Sequence, residues 1–326
     1  MRNLRLAACC AIIASGLAGC ASRGALLAPS LAPEAHRHVE LADTPFFPQR
    51  ALQCGPASLA TVLGASSVPV TPDELEPLVY LPGRRGSLQV EMLAAPRKFA
   101  RVPYRTGMNL PDILGELDAG RPVLVLHNYG LPFLPRWHYA VVVGYDADQD
   151  NLVLRSGTTK RQVLSARNFM RAWDNGGRWA MVILRPGELP GVADRARYLE
   201  AAAGFERGAQ PGDARLVFDA AVKRWPDEPI AWIGRGTASY RAKDLRAAAD
   251  DYAAALKVDP AQSGARNNLA MTLLDLGCAK EARAEIEKLD AAKLEGALAE
   301  AARDTREQIE RVIGAGGMRV CAYTPR

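Results

Sequence analysis

The hydrophobic pattern of the chain changes near residue 120. Before it, helix-start signals open the apolar segments, among them Pro56, Thr71-Pro72-Asp73 and Asn109-Leu110-Pro111, which predicts helices. After it, the apolar runs are short, β-branched and separated by Gly, Asp and Asn, which is typical of antiparallel strands. The predicted helices cover 55–63, 71 onwards, 87–99 and 109–120, and the predicted strands cover 122–126, 138–145, 152–155 and 179–184. Helices followed by a sheet indicate an α+β domain over residues 44–190.

The segment 195–313 has a different pattern, because it is rich in Ala, helical throughout and repetitive at an offset of 34 residues. At that offset Tyr198 matches Trp232, Ala214 matches Ala248, Phe218 matches Tyr252 and Pro226 matches Pro260. This arrangement resembles the tetratricopeptide repeat, and a generic Ala-rich helical bundle is the alternative. We predict an all-α repeat domain over 195–313 with a capping helix over 294–313, a hinge at 186–190 and a tail over 314–326.

The N-terminal residues have the features of a bacterial export signal, with two arginines, a short apolar run and small residues before Cys20. The motif Leu17-Ala18-Gly19-Cys20 resembles the lipoprotein box, which implies cleavage before Cys20 and lipidation of that residue. An ordinary signal peptide is the alternative. We therefore predict a signal peptide over 1–19 and a tether over 20–43. The absence of Asp after Cys20 implies an outer-membrane lipoprotein that faces the periplasm.

Composition excludes several classes of partner. The formal net charge is +5, but no basic stripe with interleaved aromatic residues is present, so we predict no nucleic-acid partner. His36 and His38 form a short pair in the predicted tether, which is too little for a metal site, and we predict no metal and no cofactor. Four cysteines remain after processing. They are too few for a disulfide scaffold, although the predicted compartment permits a bridge.

We predict a disulfide between Cys278 and Cys321. Cys278 lies in the turn between the two helices of the third repeat, and the capping helix ends on the same side. The glycines after residue 313 let the tail fold back towards that turn. A closed loop of about 43 residues would stabilise the fold by roughly 4 kcal/mol on the entropic model. Two unpaired cysteines are the alternative.

Cys54 and His138 are the candidates for chemistry. Cys54 stands at the predicted start of a helix, where unpaired backbone N–H groups and the helix dipole lower the pKa of a thiol. A buried structural cysteine is the alternative. His138 begins a β-branched strand and can act there as a general base and then as a general acid. Gln49 can donate its side-chain N–H to an oxyanion, alongside the backbone amide of Cys54.

These segments resemble the C39 peptidase family, papain-like cysteine proteases best known for processing double-glycine leader peptides. The resemblance rests on a Gln before Cys-Gly-Pro-Ala and on the motif His-Tyr-Ala-Val-Val-Val-Gly-Tyr-Asp, and it covers roughly residues 44–190. It implies a papain-like cysteine peptidase domain, with Cys54 as nucleophile, His138 as base and Gln49 as oxyanion donor. Shorter segments resemble a subgroup of lipoproteins with C-terminal repeats.

Two positions depart from the family pattern. The family carries Asp-Pro on the strand after the histidine strand, where this chain has Arg155-Ser156-Gly157. Ser156 can orient the imidazole through its hydroxyl, although more weakly than a carboxylate, and the alternatives are a Cys–His dyad or a degenerate site. Gln49 lies one residue closer to the cysteine than the family spacing, so Gln53 competes for its role.

We predict a lipid-anchored periplasmic cysteine peptidase that hydrolyses a peptide or protein substrate through an acyl-enzyme on Cys54. The repeats would recruit a protein partner, and the lipid anchor would supply the membrane contact. The alternatives are a non-enzymatic lipoprotein scaffold with a degenerate peptidase domain, and a thiol acyl or amide transferase on the same fold. His127, Arg84 and Arg85 are further candidates for substrate contacts, against a purely structural or solvated role.

Overall fold

The computed structural model describes residues 24–50, 52–131, 133–290 and 294–316, together with 321, 323 and 324. The strands in this part are β1 His38–Glu40, β2 Val102–Arg105, β3 Val123–Asn128, β4 Trp137–Asp146, β5 Asn151–Ser156, β6 Thr159–Ser165 and β7 Ala180–Leu184. They form one antiparallel sheet in the order β2-β7-β3-β4-β5-β6, and β1 pairs with the C-terminal end of β4. His38 lies opposite Asp146 in that pairing.

Five helices accompany the sheet: α1 Cys54–Ala65, α2 Pro72–Val79, α3 Gln89–Ala94, α4 Leu110–Asp118 and α5 Ala166–Asn175. Leu63 of α1 packs on one face of the sheet, in one apolar cluster with Val141 of β4. Phe169 of α5 packs on the other face, in a second cluster with Val142. Because both faces are covered, β3 and β4 are apolar along most of their length. Helices around an antiparallel sheet confirm the predicted α+β class for this part.

The predicted tether over 20–43 is wrong for its described part, residues 24–43. β1 lies in this segment and pairs with β4, and the side chain of Leu27 is fully buried. Asp150 accepts hydrogen bonds from the backbone N–H groups of Leu26 at 2.8 Å and Leu27 at 2.9 Å. A leucine pair and a three-residue strand are too short to produce a periodic pattern, so the sequence does not reveal them.

The hydrophobic pattern also fails to predict β2, β6 and α5. β2 contains Pro103, which is unfavourable in strands, and β6 is an edge strand with mostly exposed side chains. The helix predicted over 87–99 is divided into α3 and a 3₁₀ helix over Ala95–Phe99. Pro96 has no N–H to donate, which explains the change of helix type there.

Seven further helices follow in the described residues: α6 Arg195–Glu206, α7 Pro211–Arg224, α8 Pro229–Arg241, α9 Leu245–Val258, α10 Ser263–Asp275, α11 Ala279–Ile286 and α12 Gly296–Gly314. Each packs against the next along the chain. Ala214, Ala248 and Ala282, which occupy one position of the predicted repeat, are all fully buried. The helical character of this segment is as predicted, while the tetratricopeptide assignment and the domain boundaries stay predictions.

The first of these helices shares a core with the sheet. Tyr198 and Phe205 of α6 lie in one apolar cluster with Tyr104 of β2. The hydroxyl oxygen of Tyr198 lies 3.2 Å from the carbonyl oxygen of Glu188 and 3.1 Å from that of Val217, so its proton is shared between these two acceptors. The segment that we predict as a hinge is therefore bonded to α6.

The last helices are joined to the tail by a disulfide. Cys278 and Cys321 are bonded, with their Cα atoms 4.6 Å apart, which is the pairing predicted from the sequence. The hydroxyl of Tyr323 lies 2.9 Å from a carboxylate oxygen of Asp250 on α9. No helix in the described part of the chain is long and apolar enough to cross a membrane.

Candidate active site

Cys54 is the first residue of α1, and its side chain is partly buried. The next residue, Gly55, lies against the segment that precedes α3. A Cβ atom on Gly55 would stand 2.2 Å from Oγ of Ser87 and 2.6 Å from its Cβ. The absence of a side chain at Gly55 therefore permits the start of α1 to contact Ser87 directly.

His138 is the second residue of β4 and lies opposite His127 of β3. Its Nε2 atom is 2.9 Å from Oγ of Ser156, the last residue of β5. Ser156 is buried, so the imidazole is held from the side of the protein interior. The structure thus brings the predicted base and the predicted orienting hydroxyl into contact.

The turn between β5 and β6 positions two site residues at once. Ser156 precedes Gly157, which adopts a φ of +58°, a conformation that favours glycine. The carbonyl oxygen of Gly157 accepts a hydrogen bond of 3.0 Å from the backbone N–H of Gln49. One turn therefore contacts the imidazole of His138 and fixes the backbone beside the predicted oxyanion donor.

The two candidate glutamines point to different places. Nε2 of Gln53 donates to Glu76 of α2 at 2.8 Å, so this side chain is engaged by a neighbouring helix. Nε2 of Gln49 lies 3.3 Å from both Oγ of Ser58 and the carbonyl oxygen of Tyr139. Gln49 also lines the same cavity as Cys54. The geometry therefore favours Gln49 for the donor role.

Cys54, His138 and Gln49 line a single open cavity of about 750 Å³. Cys54 comes from the start of α1, His138 from the start of β4 and Gln49 from the loop before α1. Trp137 and Leu88 contribute apolar walls and are 56% and 42% exposed. The volume falls within the range of ligand-binding clefts.

Burial shifts both titrating groups towards their neutral forms. It raises the pKa of the Cys54 thiol, while backbone groups of Tyr139, Gly55 and Cys54 itself lower that pKa by less. Burial also lowers the pKa of His138. A neutral thiol and a neutral imidazole in the same cavity are therefore the favoured resting state. The sequence predicts the opposite direction for the thiol, because it locates the helix N-terminus but not the surroundings that desolvate the sulfur.

His127 lies in the core and not in the cavity wall. Its Nδ1 atom is 2.8 Å from the hydroxyl of Tyr129, and its ring packs edge-on against Phe169. Burial, followed by the neighbouring His138, lowers the pKa of His127 to about 3. The ring of Tyr129 also lies 5.9 Å from that of His138. The substrate contact considered for His127 is thus replaced by a supporting role behind the site, and the cross-strand register with His138 is the signal that links them.

The described residues contain one cluster with several potential metal ligands, formed by Cys278, Glu281 and Cys321. Two of its three members are joined in the disulfide, so their sulfur atoms are not available as thiolates.

The predicted lipidation site, Cys20, and the predicted signal peptide over 1–19 lie outside the described residues.

The model of the Peptidase_C39 like family matches residues 41–181, somewhat less than half of the chain. Residues 41–181 resemble C39-like peptidases. The matched region contains Gln49, Cys54, His138 and Ser156, whereas α6 and the helices after it lie beyond it.

Two solved structures are similar to the same part of the chain. A putative C39-like peptidase from Bacillus anthracis is 18% identical over 45% of this chain and 98% of its own, with a TM-score of 0.40. The peptidase domain of Streptococcus ComA, a bifunctional ABC transporter involved in a quorum-sensing pathway, is 20% identical over 44% of this chain and 98% of its own, with a TM-score of 0.35. None of the curated proteins matches the chain.

Proposed function

We propose that this protein is a lipid-anchored cysteine peptidase that faces the periplasm and cleaves peptide bonds through an acyl-enzyme on Cys54. One observation carries the proposal: Cys54, His138 and Gln49 line one cavity, and the imidazole of His138 is bonded to Ser156 behind it. A thiol, a base, an orienting group and an amide donor are the parts that acyl transfer requires. The family match over residues 41–181 supports the same chemistry.

The resting neutral pair defines the first chemical step. If Nε2–H of His138 donates to Ser156, the lone pair of Nδ1 is free to accept the proton of the Cys54 thiol. The sulfur then attacks the substrate carbonyl carbon, and the imidazolium returns the proton to the leaving amine as the C–N bond breaks. Water hydrolyses the resulting thioester, with His138 acting again as the base.

The carbonyl oxygen gains negative charge during the attack and needs donors. The backbone N–H of Cys54 and the side-chain amide of Gln49 provide them. The two bonds that Gln49 makes in the resting site are long, at 3.3 Å each. An oxyanion is a stronger acceptor than either partner, so Nε2 of Gln49 can turn to it at small cost.

Covalent labelling with a peptide carrying a thiol-reactive electrophile tests the proposal. We expect one label per chain in the wild-type protein, no label in Cys54→Ser and a strongly slowed reaction in His138→Ala. Intact-mass measurement counts the label, and peptide mapping locates it. Circular dichroism of each variant shows whether the fold is retained. A folded wild-type protein that stays unlabelled would contradict the proposal.

A second candidate function is a non-enzymatic scaffold that retains the peptidase fold. Two observations favour it: Ser156 stands where the family pattern has Asp, and burial raises the pKa of the Cys54 thiol. The scaffold predicts that Cys54→Ser preserves every function of the protein in cells. A transferase would label in the same way as a peptidase, but it would release its acyl product on an added amine instead of on water.

The membrane anchor and the partner of the repeats belong to the same proposal. Asp150 holds Leu26 and Leu27 at the end of β4 that is opposite to His138. A lipid on Cys20 would therefore bring that end towards the membrane and leave the cavity roughly 25 Å away along the strand. Incorporation of labelled palmitate, lost in Cys20→Ala, tests the anchor. Crosslinking from the surface of α8 and α10 in whole cells tests for a bound protein.

A further inference from the structure

The charged side chains that line the cavity are all arginines. Arg50 stands beside Gln49, and Arg84 and Arg85 stand on the loop before Ser87. Among the described residues of the lining there is no Asp and no Glu. Arg50 has a loose contact of 3.7 Å with Asp73, whereas Arg84 and Arg85 are exposed and form no ion pair with any described residue. The cleft therefore presents positive charge that the protein does not itself neutralise.

The loop that carries two of these arginines is held at the reactive centre. Leu81 N–H donates to the carbonyl oxygen of Gly86 at 2.9 Å, which closes the loop at its base. The next residue, Ser87, contacts Gly55 of α1, and its carbonyl oxygen accepts from the hydroxyl of Tyr139 at 3.3 Å. Gly55 follows Cys54 and Tyr139 follows His138. The loop over residues 81–86, the arginine loop, is thus held against both elements that carry the proposed dyad.

The wall also contains large apolar side chains. Leu52, Leu88 and Trp137 line the cavity with 44%, 42% and 56% of their surfaces exposed. Exposed large apolar side chains that converge on one cleft indicate a binding surface. The guanidinium group binds carboxylates through paired hydrogen bonds, which makes it selective for that group. A cavity lined by both arginines and apolar side chains matches a chain that alternates apolar and acidic side chains.

We propose that the cavity binds an acidic peptide segment with interspersed apolar residues, and that Arg84 and Arg85 select its carboxylates. The inference rests on the proposed peptidase site and names its substrate class. Binding and cleavage are separate measurements, so the two proposals can fail independently. A peptide of this kind should bind even where the thiol is absent.

The test uses full-length Cys54→Ala protein and three synthetic peptides that carry a neutral fluorophore. The peptides share Leu and Ala at alternate positions and carry Glu, Gln or Lys at the others. Fluorescence anisotropy gives the dissociation constants. We expect the Glu peptide to bind about tenfold more tightly than the Gln peptide, and the Lys peptide to bind most weakly. Raising the salt concentration should reduce this preference, because exposed charges are screened.

Variants in the same Cys54→Ala background show whether Arg84 and Arg85 cause the preference for the Glu peptide. Replacement of Arg84 and Arg85 by Ala should weaken binding of the Glu peptide by roughly threefold per arginine, which nearly removes its preference, and leave binding of the Gln peptide unchanged. Replacement of both by Glu should reverse the preference towards the Lys peptide. Arg303→Ala, on the exposed side of α12, is the matched control and should change nothing. Equal binding of all three peptides, or no binding of any, would overturn the inference, while labelling of wild-type Cys54 would still stand.

Discussion

At the residue scale, the unusual feature of the site is a hydroxyl behind the imidazole. A carboxylate would stabilise the imidazolium by its charge, but Ser156 can offer His138 a hydrogen bond and no charge. The neutral resting pair follows from the same arrangement, because nothing negative beside His138 opposes the effect of burial on its pKa. In the proposed mechanism, the acyl transfer would therefore depend on proton transfer during the attack and not on a preformed thiolate.

Variants at Ser156 should separate orientation from charge. Ser156→Ala removes one hydrogen bond and should slow labelling of Cys54 by about threefold to tenfold. Ser156→Thr keeps the hydroxyl and should restore most of the rate. Ser156→Asp adds a negative charge, which should raise the pKa of His138 and move the labelling rate profile to higher pH. Thr159→Ala, across the same turn, is the control. Identical pH profiles for all four proteins would show that Ser156 takes no part.

His127 should make the fold sensitive to acid. Its pKa is about 3 in the folded protein and about 6.5 when unfolded, so the unfolded chain binds the extra proton between these values. Stability contributed by the neutral ring is present above pH 6.5 and falls by about 1.4 kcal/mol per pH unit as the pH drops towards 3.

Urea unfolding at pH 7 and pH 5 tests whether the free energy of unfolding falls with pH as expected. The wild-type protein should lose about 2 kcal/mol from this group between the two pH values. His127→Gln should lose correspondingly less, because Gln does not titrate. His36→Gln, at an exposed imidazole paired with Asp118, is the control and should resemble the wild type. A His127→Gln protein with the full wild-type acid sensitivity would exclude His127 as the source.

At the element scale, the contact between α1 and the arginine loop sets the shape of the cleft. Gly55 allows Ser87 to approach within a distance that no side chain would tolerate. Gly55→Ala should therefore destabilise the protein by about 1–3 kcal/mol through overpacking, although Ala ordinarily favours a helix by about 1 kcal/mol over Gly. Ser87→Gly removes the atoms in conflict, so the double variant should recover most of the stability. Urea unfolding measures all three, and a Gly55→Ala protein as stable as the wild type would contradict the close contact.

The same contact illustrates what a sequence can and cannot predict. α1, β3 and β4 follow from their apolar runs, and Cys54 and His138 follow from the motifs that surround them. The position of the arginine loop depends on a contact between Gly55 and Ser87, which are far apart in the chain and carry no shared pattern. The direction of the Cys54 pKa shift was unpredictable for the same reason, since desolvation depends on which distant residues cover the sulfur.

At the scale of the whole molecule, the sheet and the first of the later helices behave as one packing unit. Tyr198 of α6 lies in the core that continues through Tyr104 into the sheet, whereas Tyr252 of α9 lies in a separate cluster with Leu269 and Ile286. The α6 helix therefore serves the peptidase-like domain as much as the helices that follow it. The boundary between the two cores falls inside the segment predicted as repeats.

Paired tyrosine variants should locate that boundary. Tyr198→Ala and Tyr252→Ala each open a cavity in a buried cluster and should cost about 3 kcal/mol or more locally. Native-state hydrogen exchange shows which elements lose stability, because amides exchange through the local opening that the variant favours. Tyr198→Ala should accelerate exchange in β2 and β7 as well as in α6 and α7. Tyr252→Ala should accelerate exchange in α9 and α10 and leave the sheet protected. If both variants left β2 and β7 equally protected, the sheet and α6 would have to be independent units, and the shared core would carry no energetic coupling between them.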